Sequence, residues 1–375
     1  MKTKTVYSDL LNIKYLYSMY HIIRKNTEHK EKIFKYELFL ASNIQSILNR
    51  LKDKNYVHDT YNIFLIKDPK YRVIMSEKLD DKIVNHFVSR YILEPNIIPR
   101  LINSNVATRI NMGTKEAYRL FKKYVNHMKY TSKNIYVLKC DIHKYFYNIN
   151  HKILISKLEK IIQDKDSLNI IKHIIDSTDS MYVNDYIDKI IEKERKILLK
   201  KKISNKDRNF YFKSLDNIPK YRKGYGLPIG NMTSQILAIF YLNELDHYIK
   251  EKLKIKGYIR YMDDFILFHH DKEYLKYCLK EIEKVLQDLD LKLNNKTNIY
   301  LLKNGVTFLG YRFILKGKRL IIKVRTDSKK RIKKKYRYLK DNDPEKLERV
   351  RASYNGYLMY ASADALSGYL DKLCN

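Results

Sequence analysis

The chain has no tryptophan, three cysteines, six prolines and ten glycines in 375 residues, and far fewer acidic than basic side chains. Cys140, Cys278 and Cys374 stand apart from one another, with no CxxC spacing. This excludes a cysteine-ligated zinc site and a disulfide framework, and it fits a reducing cytoplasm. Cys140 directly precedes Asp141 and reads as a small buried residue rather than a nucleophile. With so little proline and glycine, no long flexible linker is visible. Lys2, Lys4, Asp9, Lys14 and Arg24 break every apolar run near the start. The sequence therefore predicts no signal peptide and no membrane span, and a soluble, cytoplasmic protein is expected.

What is present is positive charge and tyrosine. Lys and Arg total 75 against 42 Asp and Glu, a net charge of +33, and there are 34 tyrosines. Abundant Lys, Asn, Ile and Tyr are also what an AT-rich genome encodes, but the field of such a charge is physical whatever its origin. It favours a polyanionic partner and salt-dependent binding, and with the tyrosines it points to nucleic acid. An apolar content of 45% is that of a globular protein, and the length suits two or three packed lobes.

Residues 1–60 read as mostly helical. Tyr61–Ile66 and Tyr71–Met75 read as two strands around a turn at Asp68-Pro69-Lys70, and helical periodicity follows from Ile83 to near Pro95. Residues 135–142 form a strong strand pattern, and residues 152–205 look helical, ending in a basic tract from Lys193 to Lys202. That tract is either a solvated helix face or a nucleic-acid contact. A turn-rich loop, Gly224 to Gly230, opens a helix expected over residues 233–250, and another helix is expected over 272–289. Residues 306–313 and 319–324 look like a hairpin around Gly317, followed by a basic helical tail from about Asp327. The mixture predicts an α+β fold with helices against an antiparallel sheet.

The most informative stretch is Tyr258 to Phe268, where Asp263 and Asp264 interrupt residues suited to a buried hairpin. Side chains alternate faces along a strand, so Ile259, Tyr261, Ile266 and Phe268 can pack while both carboxylates occupy the turn. Charge in such a place is costly unless it is paired or binds a cation. Asp141 ends another strand; if the two strand ends are neighbours, Asp141 and Asp263 can bridge two Mg²⁺ ions. Two hard cations about 3.5–4 Å apart suit in-line nucleotidyl transfer, and Mn²⁺ accepts the same oxygen donors.

Five motifs then occur in the order found in reverse transcriptases. They are Asp141–Phe146, Gly226–Gly230, Tyr261-Met262-Asp263-Asp264, Lys296 within residues 293–297, and Phe308–Arg312. The chain resembles that family over roughly residues 60–315. The resemblance is greatest to the enzymes of bacterial diversity-generating retroelements, whose fourth motif is matched by Ile229-Gly230 followed by Ser234-Gln235. Residues 64–74 and 81–86 are similar to early motifs of that class, with Lys82 in place of the usual Arg. Residues 104–109 are similar to the fingers motif, but Ile110 and Met112 replace the following basic pair.

The resemblance implies a right-hand polymerase: an N-terminal helical segment (1–60), fingers (61–134), a palm with an antiparallel sheet (135–316, helical insertion about 152–220) and a short helical thumb (317–375). It implies metal-binding, catalytic roles for Asp141 and Asp263, with Asp264 in support. Phe146 would be the gate against a ribose 2′-hydroxyl, added bulk in a packed slot costing about 1–3 kcal/mol. Arg72 and Arg109 would clamp the triphosphate, with a surface contact or salt bridge as the alternative for each. Gln235 joins the nucleotide site. Gly230 and Ser234 would lie under the templating pair, unless this loop merely caps its helix through Asn231 or Thr233. Lys296 would protonate the pyrophosphate leaving group or be an ordinary exposed lysine. Phe308, Leu309 and Gly310 resemble the primer grip, and Lys333, Lys334 and their basic neighbours would follow a phosphate backbone.

The implied partners are a template RNA, its nascent cDNA and a basic multimeric accessory protein, with no membrane. Errors opposite template adenines would accompany the retroelement class. Two alternatives stand beside it: a retron-like or phage-defence enzyme using a dedicated noncoding RNA, and a non-catalytic RNA-binding descendant of a polymerase.

Overall fold

Apolar residues at alternate positions make Tyr71–Ser76 (β2) a half-buried strand, with Tyr71, Val73 and Met75 inward. It pairs antiparallel with Asn62–Lys67 (β1), from Asn62 opposite Ser76 to Lys67 opposite Tyr71. In this computed structural model the described residues are 7–27, 30–67, 70–362 and 364–374. The turn expected at Asp68-Pro69-Lys70 involves Asp68 and Pro69, which lie outside them.

The chain divides into two compact units. The first comprises Met1–Ile102, His143–Glu244 and Leu286–Lys292. Around the β1–β2 hairpin its core gathers Ile63, Val73, Met75, Tyr147, Val183, Ile187 and Tyr221. Its helical stretches depart from the sequence expectation in three places. The helix expected to stop near Pro95 continues through Glu94–Ile97 to Arg100, because Pro95 sits in the first turn of a new helical segment, where its missing N–H is not needed. The stretch expected to be helical over 152–205 is so, in His151–Glu159, Lys165–Asp176 and Met181–Lys200, and helix runs on past its expected end in Asn205–Asp216. Side chains of Asn150, Asp164 and Ser204 accept backbone N–H bonds at three of these starts. The next helix begins at Met232 and breaks after Tyr241.

The second unit comprises Asn103–Ile142, Leu245–Val285 and Leu293–Asn375. Its four-stranded antiparallel sheet has the order β4-β5-β3-β6, built from Tyr136–Asp141 (β3), Gly257–Tyr261 (β4), Asp264–His269 (β5) and Asn298–Leu301 (β6). β5 is buried on both faces, Phe265, Ile266, Leu267 and Phe268 all being core residues. The alternation expected of this hairpin is therefore absent. β6 was not expected: it is four residues long and only half-buried, too short to leave a clear pattern.

A three-stranded sheet follows: Val306–Phe308 (β7), Tyr311–Lys316 (β8) and Arg319–Val324 (β9). The expected continuous strand over 306–313 is instead two strands around Leu309 and Gly310, whose φ angles of 43° and 92° turn the chain back. The helices Thr326–Asn342, Pro344–Leu358 and Asp364–Cys374 complete the unit. Phe121, Phe268, Phe308, Phe313, Tyr336 and Leu370 belong to its continuous core. No described helix is long and apolar enough to cross a membrane.

Candidate active site

The antiparallel pairing of β3 with β5 sets Asp141 opposite Asp264. The expected proximity of these strand ends is therefore real, with one correction: Asp264 is the first residue of β5, leaving Met262 and Asp263 in the turn. Met262 takes a φ of 56°, unusual for a residue with a side chain. Cys140, beside Asp141, is fully buried with its thiol pushed up chiefly by that burial, which makes it inert.

Asp264 carries the clearest electrostatic signature. Burial raises its carboxyl to about 7; Asp141 and Asp263 push the same way, and Lys139 opposes them. Lys139 Nζ lies 3.7 Å from Asp264 Oδ2, while Asp264 Oδ1 is buried with no hydrogen-bond partner. A buried oxygen without a partner, amid carboxylates that repel one another, fits a hard divalent cation. The only three-residue cluster of such ligands within 4.8 Å among the described residues is His151, Asp176 and Asp179.

The His151 cluster has other work. His151 Nε2 meets the Gly226 carbonyl at 2.7 Å and Nδ1 meets Asp176 at 3.1 Å, while Asp179 accepts the Gly224 N–H. These bonds hold the glycine-rich loop.

Sequence reading missed what sits behind the Asp263 turn. Arg260 and Asp246 are both wholly buried and bonded twice, Nε to Oδ1 at 2.7 Å and Nη2 to Oδ2 at 2.6 Å. Arg260 Nη1 also donates to the Met262 carbonyl at 3.0 Å. The Tyr258 hydroxyl donates to Asp246 Oδ1 at 2.7 Å, completing a network that fixes the turn from within. The available signal was Arg260 itself, a cation inside an otherwise apolar strand. Its partner, 14 residues away, has no local pattern.

Two other candidates lie within this unit. The Asn294 N–H donates to the Asp141 carbonyl at 2.7 Å, and Asn294 Oδ1 accepts the Lys296 N–H, so the exposed Lys296 belongs to a loop tied to Asp141. Arg109 Nη1 donates to the Asn105 carbonyl at 3.0 Å, in a segment stitched to β4 by Val106 N–H to Arg260 carbonyl.

The Leu309–Gly310 turn is held by two tyrosines that the sequence did not suggest. Tyr118 donates to the Leu309 carbonyl at 2.7 Å and Tyr357 to the Gly310 carbonyl at 2.9 Å. The Phe308 ring is buried in the core, whereas Leu309 and Gly310 are half-buried. In the basic tail, Lys333 lies 4.1 Å over the Tyr369 ring, whereas Lys334 is exposed.

The first unit assembles the remaining candidates. The Leu227 N–H donates to the Phe146 carbonyl at 2.7 Å, and the Met75 N–H to the Ile229 carbonyl at 2.9 Å. A Cβ on Gly230 would lie 2.5 Å from the Met75 carbonyl oxygen, so only glycine allows this approach. Arg72 is exposed on β2, Gln235 is exposed, and Ser234 is buried with an unpartnered hydroxyl. The helix-capping alternative fails: Asn231 donates instead to the Tyr61 hydroxyl at 3.0 Å, and Thr233 to Asn85 at 2.5 Å.

An antiparallel sheet that presents carboxylates from two neighbouring strand ends offers the oxygen donors that the divalent cations of nucleotidyl transfer require. Residues 65–313 match the family model described as reverse transcriptase (RNA-dependent DNA polymerase), and the chain belongs to that family. Among solved structures it is similar to apo telomerase from Candida tropicalis (15% identity, 84% of this chain and 60% of that one, TM-score 0.47). It is also similar to telomerase from Candida albicans in complex with a fragment of telomeric RNA (12% identity, 76% and 52%, TM-score 0.47). A C-terminally truncated Candida tropicalis telomerase gives 15% identity, 70% and 54%, and a TM-score of 0.45. The chain thus spans about half to three-fifths of the length of these structures. No curated protein sequence matches it.

Proposed function

We propose that the protein is an RNA-directed DNA polymerase that adds deoxynucleotides to a primer 3′-hydroxyl. The observation that carries this reading is the register of Asp141 against Asp264, with Asp263 in the adjoining turn and a buried Asp264 oxygen lacking a partner. Asp141 and Asp263 would hold Mg²⁺, with Asp264 supporting them. When bound, the metal lowers the pKa of the attacking hydroxyl and neutralises charge on the leaving phosphate oxygens. Arg260, by fixing the Met262 carbonyl, sets the direction in which Asp263 points. Lys139 limits the repulsion among the carboxylates before a cation arrives.

The remaining roles follow the family motifs. Arg72 and Arg109 bind triphosphate oxygens, Phe146 crowds a 2′-hydroxyl, and Gln235 contacts the incoming nucleotide. Gly230 and Ser234 support the template, Lys296 supplies the leaving-group proton, and Leu309–Gly310 grips the primer. In these functional terms residues 61–134 are fingers, 135–316 palm and 317–375 thumb.

The finer reading is a diversity-generating retroelement enzyme in the cytoplasm, working on a template RNA with a basic accessory protein. Ile229, Gly230, Ser234 and Gln235 in their observed spacing support it. Primer extension on RNA with the products sequenced tests both levels. Synthesis lost in Asp141→Asn, with wild-type errors concentrated at template adenines, is the expected outcome. Accurate copying would move the biology to a retron or defence enzyme. No synthesis even with the cognate RNA and partner would leave an RNA-binding protein.

A further inference from the structure

Residues 189–202 carry seven basic and two acidic side chains, and the polymerase chemistry uses none of them. Most lie on the helix Met181–Lys200, whose inner face buries Val183, Ile187 and Leu198. Its outer face presents Tyr186, Lys189, Lys193, Lys196 and Lys200, all exposed, at intervals of three, four, three and four residues. Such intervals stack side chains in one row, here about 21 Å long at 1.5 Å per residue.

The row is not an internal ion-pair network. Lys196 meets Glu192 at 2.8 Å, but Lys189, Lys193 and Lys200 make no ion pair among the described residues. Nearby cations are tied down: Arg195 pairs with Asp216, Lys220 with Asp188 at 2.6 Å, and Lys67 lies 3.3 Å over the Tyr211 ring. Like charges at these intervals oppose the helix, so the fold keeps the row despite its charge. A polyanion with evenly spaced charge would relieve that repulsion, and an exposed tyrosine in line with the lysines offers a face on which a base can stack.

We propose that this row docks the phosphate backbone of RNA lying outside the copied stretch. The proposal rests on the RNA-template reading above, and it disfavours this face for a basic accessory protein. The test uses the full chain with Lys189, Lys193, Lys196 and Lys200 all changed to Gln. A charge-matched control changes the exposed Lys25, Lys115, Lys133 and Lys272 to Gln. Two probes are compared over a KCl series: folded ribosomal RNA, and a short RNA–DNA primer–template with no RNA beyond the copied stretch.

Each lost phosphate contact lowers the slope of log K against log salt by about 0.7–0.9, so the row variant should lose about 3 on folded RNA. Its affinity for that RNA should fall at least roughly tenfold at fixed salt, while extension of the short duplex stays at wild-type level and shows the fold intact. An unchanged slope, an equal loss in the control, or a parallel loss on the short duplex would overturn the proposal. Failure of the wild type itself to extend the short duplex would instead strike the polymerase reading.

Discussion

The turn at Met262 and the turn at Leu309 both set a non-glycine residue at positive φ, 56° and 43°, yet they are held by different chemistry. Behind Met262 stands a buried, doubly bonded Arg260–Asp246 pair that lends one guanidinium N–H to the turn. Behind Leu309 and Gly310 stand two neutral phenols, Tyr118 and Tyr357. The first turn presents carboxylates whose position must withstand repulsion and a cation's pull, and a planar, charged fork restrains it strongly. The second carries no charged side chain, and neutral hydrogen bonds suffice for it. Stiffness follows the electrostatic load on each turn.

The comparison breaks most visibly at the carboxylates. Asp141→Asn should lower DNA synthesis by about 10³-fold or more, since a metal supplies several kcal/mol and each 1.36 kcal/mol is tenfold in rate. Thermal melting should show the fold retained. Removing the ion with EDTA should silence the wild type, and Mg²⁺ should restore it.

Next comes the charged support. Arg260→Met leaves Asp246 buried without its cation, and urea unfolding should show a loss of about 3–5 kcal/mol. The double variant Arg260→Met, Asp246→Leu should recover most of that stability but not the synthesis rate, because the Met262 carbonyl still lacks its donor. Recovery of both would make the pair a packing element only.

The neutral support should matter less. Tyr118→Phe and Tyr357→Phe each remove one hydrogen bond, worth about 1 kcal/mol. Their expected signature is a raised KM for primer with kcat largely kept and Mg²⁺ dependence unchanged. A shift in Mg²⁺ dependence would erase the division of labour between the turns.

A pH linkage sharpens the charged side of the comparison. Asp264, raised to about 7 mainly by burial, favours the folded state when protonated. Its contribution is full below the unfolded value of about 3.9 and is lost as pH rises through about 7. The metal-free protein should therefore lose stability across that window, and Mg²⁺ should raise Tm more at pH 8 than at pH 6. Asp264→Asn should flatten both trends in a melting series.

Much of this was legible in the chain because it is local. The β1–β2 hairpin follows from alternation, and the order of Asp141, Gly226–Gly230, Asp263-Asp264 and Phe308–Gly310 marks the family. What the sequence concealed is long-range or brief. Tyr118 reaches Leu309 across 191 residues, and the short strand β6 is only half-buried. The helix starts after Asp164 and Ser204 are each set by a single capping side chain. The expectation that both aspartates share the turn failed because strand pairing extends one residue further, to Tyr261 opposite Asp264.

The most direct measurement is extension of a DNA primer on an RNA template with Mg²⁺ by the wild type and Asp263→Ala, with Mn²⁺ binding followed by electron paramagnetic resonance in the same preparations. Synthesis and tight Mn²⁺ binding by the wild type, both lost in the folded variant, are expected. Undiminished synthesis by Asp263→Ala would contradict the assignment of this turn as the metal-holding centre of a polymerase.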